Sequence, residues 1–137
     1  MTESNRRLNI ADELAAAESS LAAADALAGL TLNADSVSRS YYAAFHALRA
    51  LLLSEGQEPR THVGALHLFN VHFVRPGTFP SSHNRLLGGM QRSRELADYS
   101  AGIRFSQDDA RAQLDDARRF VSEVVAHLAG AGWIEGG

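Results

Sequence analysis

Residues 39–46 read Arg39-Ser-Tyr-Tyr-Ala-Ala-Phe-His46, and this octapeptide decides most of what the sequence predicts. It lies within a helical pattern, with Arg39 and His46 seven positions apart. At about 100° per residue, that spacing brings both side chains to the same face of a helix. The pair joins a permanent cation to a group that titrates near neutrality. The pair can therefore bind and cleave a phosphodiester, or it can lie on the helix surface without a functional role.

Around this octapeptide, apolar residues recur at steps of three and four in four long segments. This period predicts four amphipathic helices, packed along narrow stripes that are rich in alanine. The helix that contains the octapeptide is bounded by Asn33 and Gly56. The stripes run from Ile10 to Ala28, from Val37 to Leu51, from Leu86 to Ala101 and from Ala110 to Leu128.

Shorter signals complete the predicted fold. Residues 61–74 form a short helix that ends at Arg75-Pro76-Gly77, and Phe79-Pro80-Ser81-Ser82 forms the longest irregular piece. Ser106 followed by Asp109 resembles a capping box at the start of the last helix. We therefore expect an all-α protein, an antiparallel up-down bundle of four long helices and one short helix. Residues 1–137 form one domain with a core of about residues 8–128.

Composition limits the function further. The net charge of −3 argues against broad, non-specific nucleic-acid binding, although all thirteen basic residues are arginines, which suit phosphate. The chain contains no cysteine, no recognisable signal peptide and no apolar run long enough to span a bilayer, so we expect a cytoplasmic protein. His62, His67 and His72 recur every five residues and cannot converge on one ion, so neither a metal nor another cofactor is expected.

Two further groups are candidate binding residues. Arg39, Tyr42, His46 and Arg49 form a second stripe on the octapeptide helix, roughly opposite its core stripe. That stripe suits a subunit interface or a ligand groove, or else a polar seam in which His46 bonds a neighbouring helix. In the fourth helix, Arg94 and Asp98 are spaced for an ion pair. Tyr99 beside them can stack on a base or bond a phosphate, or the group can tie two helices together.

The octapeptide resembles the R-x-Y-Y-A-x-F-H signature of a small prokaryotic branch of the HEPN domain family. The likeness continues through Thr61-His62, through Arg94-Glu-Leu-Ala-Asp98-Tyr99 and through Ala117 with Phe120, and it covers roughly residues 8–126. The resemblance implies a helical bundle that forms a symmetric homodimer. It also implies a metal-independent ribonuclease, a toxin paired with a minimal nucleotidyltransferase as antitoxin.

The family's catalytic signature is an arginine and a histidine with a short spacer, which Arg39 and His46 satisfy. In nuclease members that signature usually lies near the position of Arg94, where this chain has Tyr99, a poor general base at neutral pH. Arg94 and Tyr99 are therefore alternative or supporting catalytic residues, and Tyr99 is also a candidate for modification by the nucleotidyltransferase. The other reading is a non-catalytic HEPN module that binds a nucleotidyltransferase or a nucleotide. Residues expected to contact RNA or a nucleotide are Tyr42, Arg49, His62 and Asp98.

Overall fold

Five α-helices make up the part of the chain that the computed structural model describes, residues 1–99, 102 and 104–136. A π-helical turn, Asn70–Val74, extends the third helix. Those residues contain no strand, and the predicted all-α fold is confirmed. The helices are α1 Glu3–Gly29, α2 Asn33–Ser54, α3 His62–Phe69, α4 Ser81–Tyr99 and α5 Gln107–Gly130.

The helix ends follow from capping side chains. Ser106 Oγ accepts a hydrogen bond from the Asp109 backbone N–H at 2.9 Å, and Asp109 Oδ2 accepts one from the Ser106 N–H at 3.0 Å. The predicted capping box is therefore present, and it satisfies two backbone donors at the start of α5. The Thr61 hydroxyl caps α3 by accepting a hydrogen bond from the Gly64 N–H at 2.9 Å. This cap fixes the start of α3 and with it the position of His62, the first residue of that helix.

Helix α2 lies at the centre and packs against α1, α3, α4 and α5. Small buried residues on several sides of α2, including Ala43, Ala47 and Ala50, allow these helices to approach closely. Ser36 is also fully buried, and its hydroxyl donates to the Ala24 carbonyl oxygen at 2.8 Å, which satisfies a polar group inside the bundle. A second stripe of α2 faces away from most of the core and is called the open stripe below. Arg39 and Arg49 at its two ends are exposed, and Tyr42 and His46 between them are half-buried.

The predicted apolar stripes occupy the core. Those of α1, α2 and α5 are buried apart from Leu14, which is half-buried. The α4 stripe is less completely buried: Met90 is buried, while Leu86 and Ala97 are half-buried. Helix α4 packs mainly on α2, α3 and the π-helical turn. Ala101, predicted as the end of that stripe, lies outside the described residues.

The segment around Phe79 corrects one prediction. Phe79-Pro80-Ser81-Ser82 was expected to be irregular, but Ser81 and Ser82 begin α4. Phe79 is only 5% exposed, and its ring lies against Phe69, Phe73 and Phe120. The proline and serines next to Phe79 are typical of a loop, but the ring of Phe79 is buried and holds the segment against the core. Within the described ranges, residues 55–61 form a longer non-helical segment.

In residues 1–99, 102 and 104–136, no helix combines the length and the apolar character that crossing a membrane requires.

Candidate functional site

Arg94 on α4 is the centre of the first side-chain cluster. Its guanidinium carbon lies 5.2 Å from the ring centroid of Tyr41 and 5.9 Å from those of Tyr42 and Tyr99. A guanidinium within about 6 Å of an aromatic ring is attracted to the electron-rich face of that ring. Arg39 reaches the same cluster from α2, with its guanidinium carbon 5.3 Å from the Tyr42 ring. Tyr42 therefore lies between two arginines from different helices.

Asp98 fixes the orientation of Arg94. Its Oδ2 accepts from Arg94 Nη1 at 3.1 Å, and its Oδ1 accepts from the Ser38 hydroxyl at 2.6 Å. The spacing of Arg94 and Asp98 indicated the first bond, but nothing in the sequence indicated that Ser38 would complete it from α2. Burial favours the neutral form of Arg94, but the side chains of Tyr99 and Asp98 outweigh it and raise the pKa of Arg94. The cluster therefore holds a fixed positive charge.

His62 joins this cluster from the start of α3. Its Nδ1 lies 2.6 Å from the Tyr41 hydroxyl, and its ring packs against Tyr41 and Phe45. Burial, and then the charge of Arg94, lower the pKa of His62, so its imidazole is neutral near pH 7. Burial also raises the pKa of Tyr41 to about 12. Both side chains are therefore neutral near pH 7, and the hydrogen bond between the Tyr41 hydroxyl and His62 Nδ1 ties the start of α3 to α2.

The Tyr41–His62 pair predicts a free energy of unfolding that falls at both ends of the pH range. Below pH 6.5 the unfolded chain protonates His62, whereas the folded protein resists protonation because its pKa is lower. Above pH 10.0 the unfolded chain ionises Tyr41, whereas the folded protein keeps it neutral to about pH 12. Urea denaturation across this range measures both losses. We expect Tyr41→Phe to remove most of the alkaline loss, and a Tyr41→Phe profile parallel to that of the wild type would contradict this account.

His46 belongs to a second cluster, centred on Glu13 of α1. His46 Nδ1 lies 2.8 Å from Glu13 Oε2, and Arg49 Nε lies 3.2 Å from Glu13 Oε1. A neutral imidazole that donates through Nδ1 to a carboxylate keeps Nε2 free to accept a proton. The His46 side chain is 33% exposed, so solvent and ligands can reach it. This bond to a neighbouring helix fits a polar seam, and it also fits an oriented general base.

No sequence pattern indicated a role for Glu13. It precedes Leu14 on the flank of the α1 stripe, and a polar residue beside an apolar stripe is ordinary in an amphipathic helix. Only the packing of α1 on α2 shows that its carboxylate meets both His46 and Arg49. Glu13 is therefore the main functional candidate that sequence reasoning missed.

The two clusters lie along the open stripe of α2. Arg39 and His46 are seven positions apart, which is about 10 Å along the helix axis. A single phosphate can contact both Arg39 and His46 only if both side chains extend toward it. A short length of polynucleotide spans the same distance easily. The structure thus divides the predicted site residues between the Arg94 cluster and the Glu13 cluster. Arg39, Tyr42, His62, Asp98 and Tyr99 join Arg94, and His46 and Arg49 join Glu13.

An open groove lies beside the Arg94 cluster. It has a volume of about 520 Å³ and is lined by Arg92, Arg94, Glu95, Leu96 and Tyr99. Tyr99 is 77% exposed, which is unusual for a tyrosine, and presents a ring on which a planar ligand can stack. The bond to Asp98 uses one N–H of Arg94 Nη1 and the Nε of Arg94 is buried, so the remaining Nη1 and Nη2 N–H groups are the donors left for a ligand oxygen. The groove can therefore bind a phosphate together with an aromatic base.

The described residues contain no group of three or more histidine, aspartate or glutamate side chains placed to hold a metal ion. The family model described as HEPN domain matches residues 11–128 of the chain, which include all of α2, α3 and α4. A comparison with curated proteins gives no match.

Proposed function

This chain belongs to the HEPN domain family, and from that premise we propose that it is a metal-independent endoribonuclease. It acts in the cytoplasm as the effector of a toxin–antitoxin or defence-like pair. The observation that carries the proposal is the Glu13–His46 pair, 2.8 Å apart, on the α2 stripe that also bears Arg39. A histidine oriented by a carboxylate, on the same helix stripe as a permanent cation, is an arrangement suited to breaking a phosphodiester without a metal.

The proposed chemistry uses the 2′-hydroxyl of the RNA as the nucleophile. His46 Nε2 accepts the 2′-hydroxyl proton as the 2′-oxygen bonds to phosphorus, and Glu13 stabilises the imidazolium that forms. The bond from phosphorus to the 5′-oxygen breaks, and that oxygen leaves with a proton. Arg39 faces the negative charge that develops on the phosphoryl oxygens. The products are a 2′,3′-cyclic phosphate and a 5′-hydroxyl end.

The Arg94 cluster supplies recognition in this proposal. Arg94 binds an RNA phosphate, and a base stacks on the exposed ring of Tyr99. Tyr42 contacts both Arg39 and Arg94 and therefore links the recognition site to the catalytic stripe. His62 acts on the site indirectly in this arrangement, by bonding Tyr41 and keeping its ring in place.

Each chain offers one histidine on this stripe, while cleavage needs both a base and an acid. We propose that a symmetric homodimer supplies the second group, because a two-fold axis beside the stripe would bring a second His46 to the same phosphate. The imidazole of one copy then accepts the 2′-hydroxyl proton, and the imidazolium of the other protonates the leaving 5′-oxygen. Arg49, which holds the second oxygen of Glu13, keeps the pair aligned.

Incubation of the purified protein with total RNA and with tRNA in excess EDTA tests the proposal. We expect cleavage that continues in EDTA and leaves 2′,3′-cyclic phosphate ends, which resist phosphatase treatment until acid opens the ring. The Arg39→Ala/His46→Ala protein is the control. Cleavage by that double variant at the wild-type rate would place the activity elsewhere.

The absence of a histidine at position 99 favours a second candidate, a non-catalytic HEPN module that binds a nucleotidyltransferase partner or a nucleotide. The 77% exposure of Tyr99 makes its hydroxyl accessible to such an enzyme, which could add AMP to it. Intact-mass measurement after co-expression with a minimal nucleotidyltransferase tests this modification. An added AMP mass that disappears in Tyr99→Phe supports it, and an unchanged mass of the wild-type chain contradicts it.

A further inference from the structure

A second groove lies on α4, on the other side of Arg92 from the Arg94–Tyr99 groove. It has a volume of about 490 Å³ and runs between α4 and the α3–π-turn segment. No carboxylate lines it, although the chain as a whole carries a net charge of −3. Its polar lining consists of guanidinium and amide groups, the donors that phosphate and sugar oxygens accept. The lining residues are Leu66, Asn70, Asn84, Arg85, Gly88 and Arg92.

Both arginines of this groove are available to a ligand. Arg85 and Arg92 are exposed, and neither forms an ion pair within 4.0 Å with any residue that the structure describes. By contrast, Arg94, Arg111 and Arg118 each bond an aspartate. Exposed Arg60 and Arg75 also lack such an ion pair, so what distinguishes Arg85 and Arg92 is that they line one groove that has no carboxylate in its lining.

Gly88 and Gly89 of α4 lie directly beneath the Arg92 side chain. A Cβ atom built on Gly88 would lie 3.7 Å from Arg92 Nη1, and one built on Gly89 would lie 3.7 Å from Arg92 Nη2. Those are ordinary contacts, so alanine would fit at either position, and close packing does not explain the pair. Glycines make the helix surface flat beneath the Arg92 fork, which lets a bulky ligand backbone approach the helix closely.

The two grooves adjoin at Arg92, which lines both. Arg85 and Arg92 are seven residues apart and share a face of α4, and Leu96 and Tyr99 extend the same face. From Arg85 to Tyr99 the track is about 21 Å long at the helical rise. It offers Arg85 at one end, Arg92 at its midpoint and the exposed ring of Tyr99 at the other end.

We propose that the groove between α3 and α4 binds the phosphate backbone of single-stranded RNA that extends from the Arg94–Tyr99 site. This inference rests on the proposed function and adds the path of the substrate. Arg85 and Arg92 bind successive phosphates, and Asn70 and Asn84 bond sugar hydroxyls or base edges. Guanidinium forks beside a stacking ring favour single-stranded nucleic acid over an acidic protein surface, which offers carboxylates but no bases.

Fluorescence anisotropy with a labelled 12-nucleotide oligouridylate in EDTA tests this path. All proteins carry His46→Ala, so binding is measured without cleavage. We expect Arg85→Gln/Arg92→Gln to weaken binding by roughly tenfold or more. The slope of log affinity against log salt concentration should fall by about 1.4, because two phosphate contacts with a single strand are lost. Arg118→Gln/Arg119→Gln on α5 removes the same charge and serves as the control, and its melting temperature shows whether the loss of the ion pairs with Asp25, Asp115 and Asp116 has destabilised it.

Gly88→Ala provides a test that is independent of charge. It should raise the melting temperature, because alanine is the better helix former, and weaken RNA binding, because its methyl group lifts the strand from the helix. An affinity for RNA equal to that of the parent protein would contradict the close approach.

The outcomes separate the groove from the proposed function. If Arg94→Gln abolishes RNA binding while Arg85→Gln/Arg92→Gln behaves like the α5 control, the groove assignment is overturned and the Arg94 site stands. If none of the proteins binds RNA, both are overturned. Oligoglutamate binding as tight as that of the oligouridylate would overturn the assignment of the groove to RNA.

Discussion

Replacing His46 by alanine is expected to reduce RNA cleavage by roughly 10²–10⁴-fold, the contribution typical of a positioned general base. RNA affinity should change little, because the Arg94 cluster that binds the strand does not include His46. The side chain is 33% exposed and, among the described residues, bonds Glu13 alone, so its loss should cost little stability. Single-turnover cleavage of a labelled RNA in EDTA, with melting temperatures recorded alongside, measures both effects.

Glu13 is expected to act through His46, which makes it a positioning residue. Glu13→Gln keeps an acceptor for the Nδ1 proton but loses the charge that stabilises the imidazolium, so kcat should fall while KM stays constant. Glu13→Asp should restore part of kcat. The exposed Glu18 on the same helix supplies the matched control, Glu18→Gln. Equal kcat values for Glu13→Gln and the wild type would remove Glu13 from the mechanism and leave it as a structural partner of Arg49.

Arg94→Gln is expected to weaken RNA binding by roughly 10- to 100-fold, because it removes the fixed cation that bonds a phosphate. The variant also loses the contacts with three tyrosine rings and leaves Asp98 bonded to Ser38 alone. We therefore expect a moderate loss of stability, of about 1–2 kcal/mol. Equilibrium titration with labelled single-stranded RNA, together with urea denaturation, separates the two effects.

Arg94→Lys distinguishes charge from geometry. Lysine keeps the positive charge but not the planar fork that bonds Asp98 and stacks against the rings, so it should restore only part of the affinity. Full recovery with lysine would mean that charge alone attracts the strand. Affinity unchanged in both Arg94 variants would show that RNA binds elsewhere.

The fold was largely predictable because its signals are local. The stripe of α5 and its Ser106 capping box follow from periodicity and from the preference of serine for helix starts. The segment at Phe79 was not predictable in the same way, since burial of its ring depends on Phe69, Phe73 and Phe120, which come from other parts of the chain.

The site was predictable only where its residues share a helix. The Arg94–Asp98 pair and the open stripe of α2 follow from helical spacing. The partners that define the chemistry come from other helices, Glu13 for His46 and Ser38 for Asp98. Each is an ordinary polar residue in its own helix, so only tertiary packing reveals the contact.

The division of the stripe into two clusters also changes the meaning of the octapeptide. Arg39 joins Tyr42 and, through that ring, the Arg94 cluster, whereas His46 turns to α1 and Glu13. Sequence spacing placed the two residues on one face, which the structure shows as well, but it could not show that they have different partners. In the proposed function, Arg39 at the first end of the octapeptide faces the charge on the reacting phosphate, and His46 at the second end accepts the 2′-hydroxyl proton.

The most direct test of RNA recognition at this site is photo-crosslinking of a 4-thiouridine-substituted single-stranded RNA to the 137-residue protein. The His46→Ala variant in EDTA keeps the strand intact, and peptide mass spectrometry locates the adducts. We predict adducts at Tyr99 and Tyr42, which are lost when Arg94→Gln is added. Adducts confined to the outer surfaces of α1 and α5, or adducts at Tyr99 that persist in Arg94→Gln at the same yield, would contradict the account.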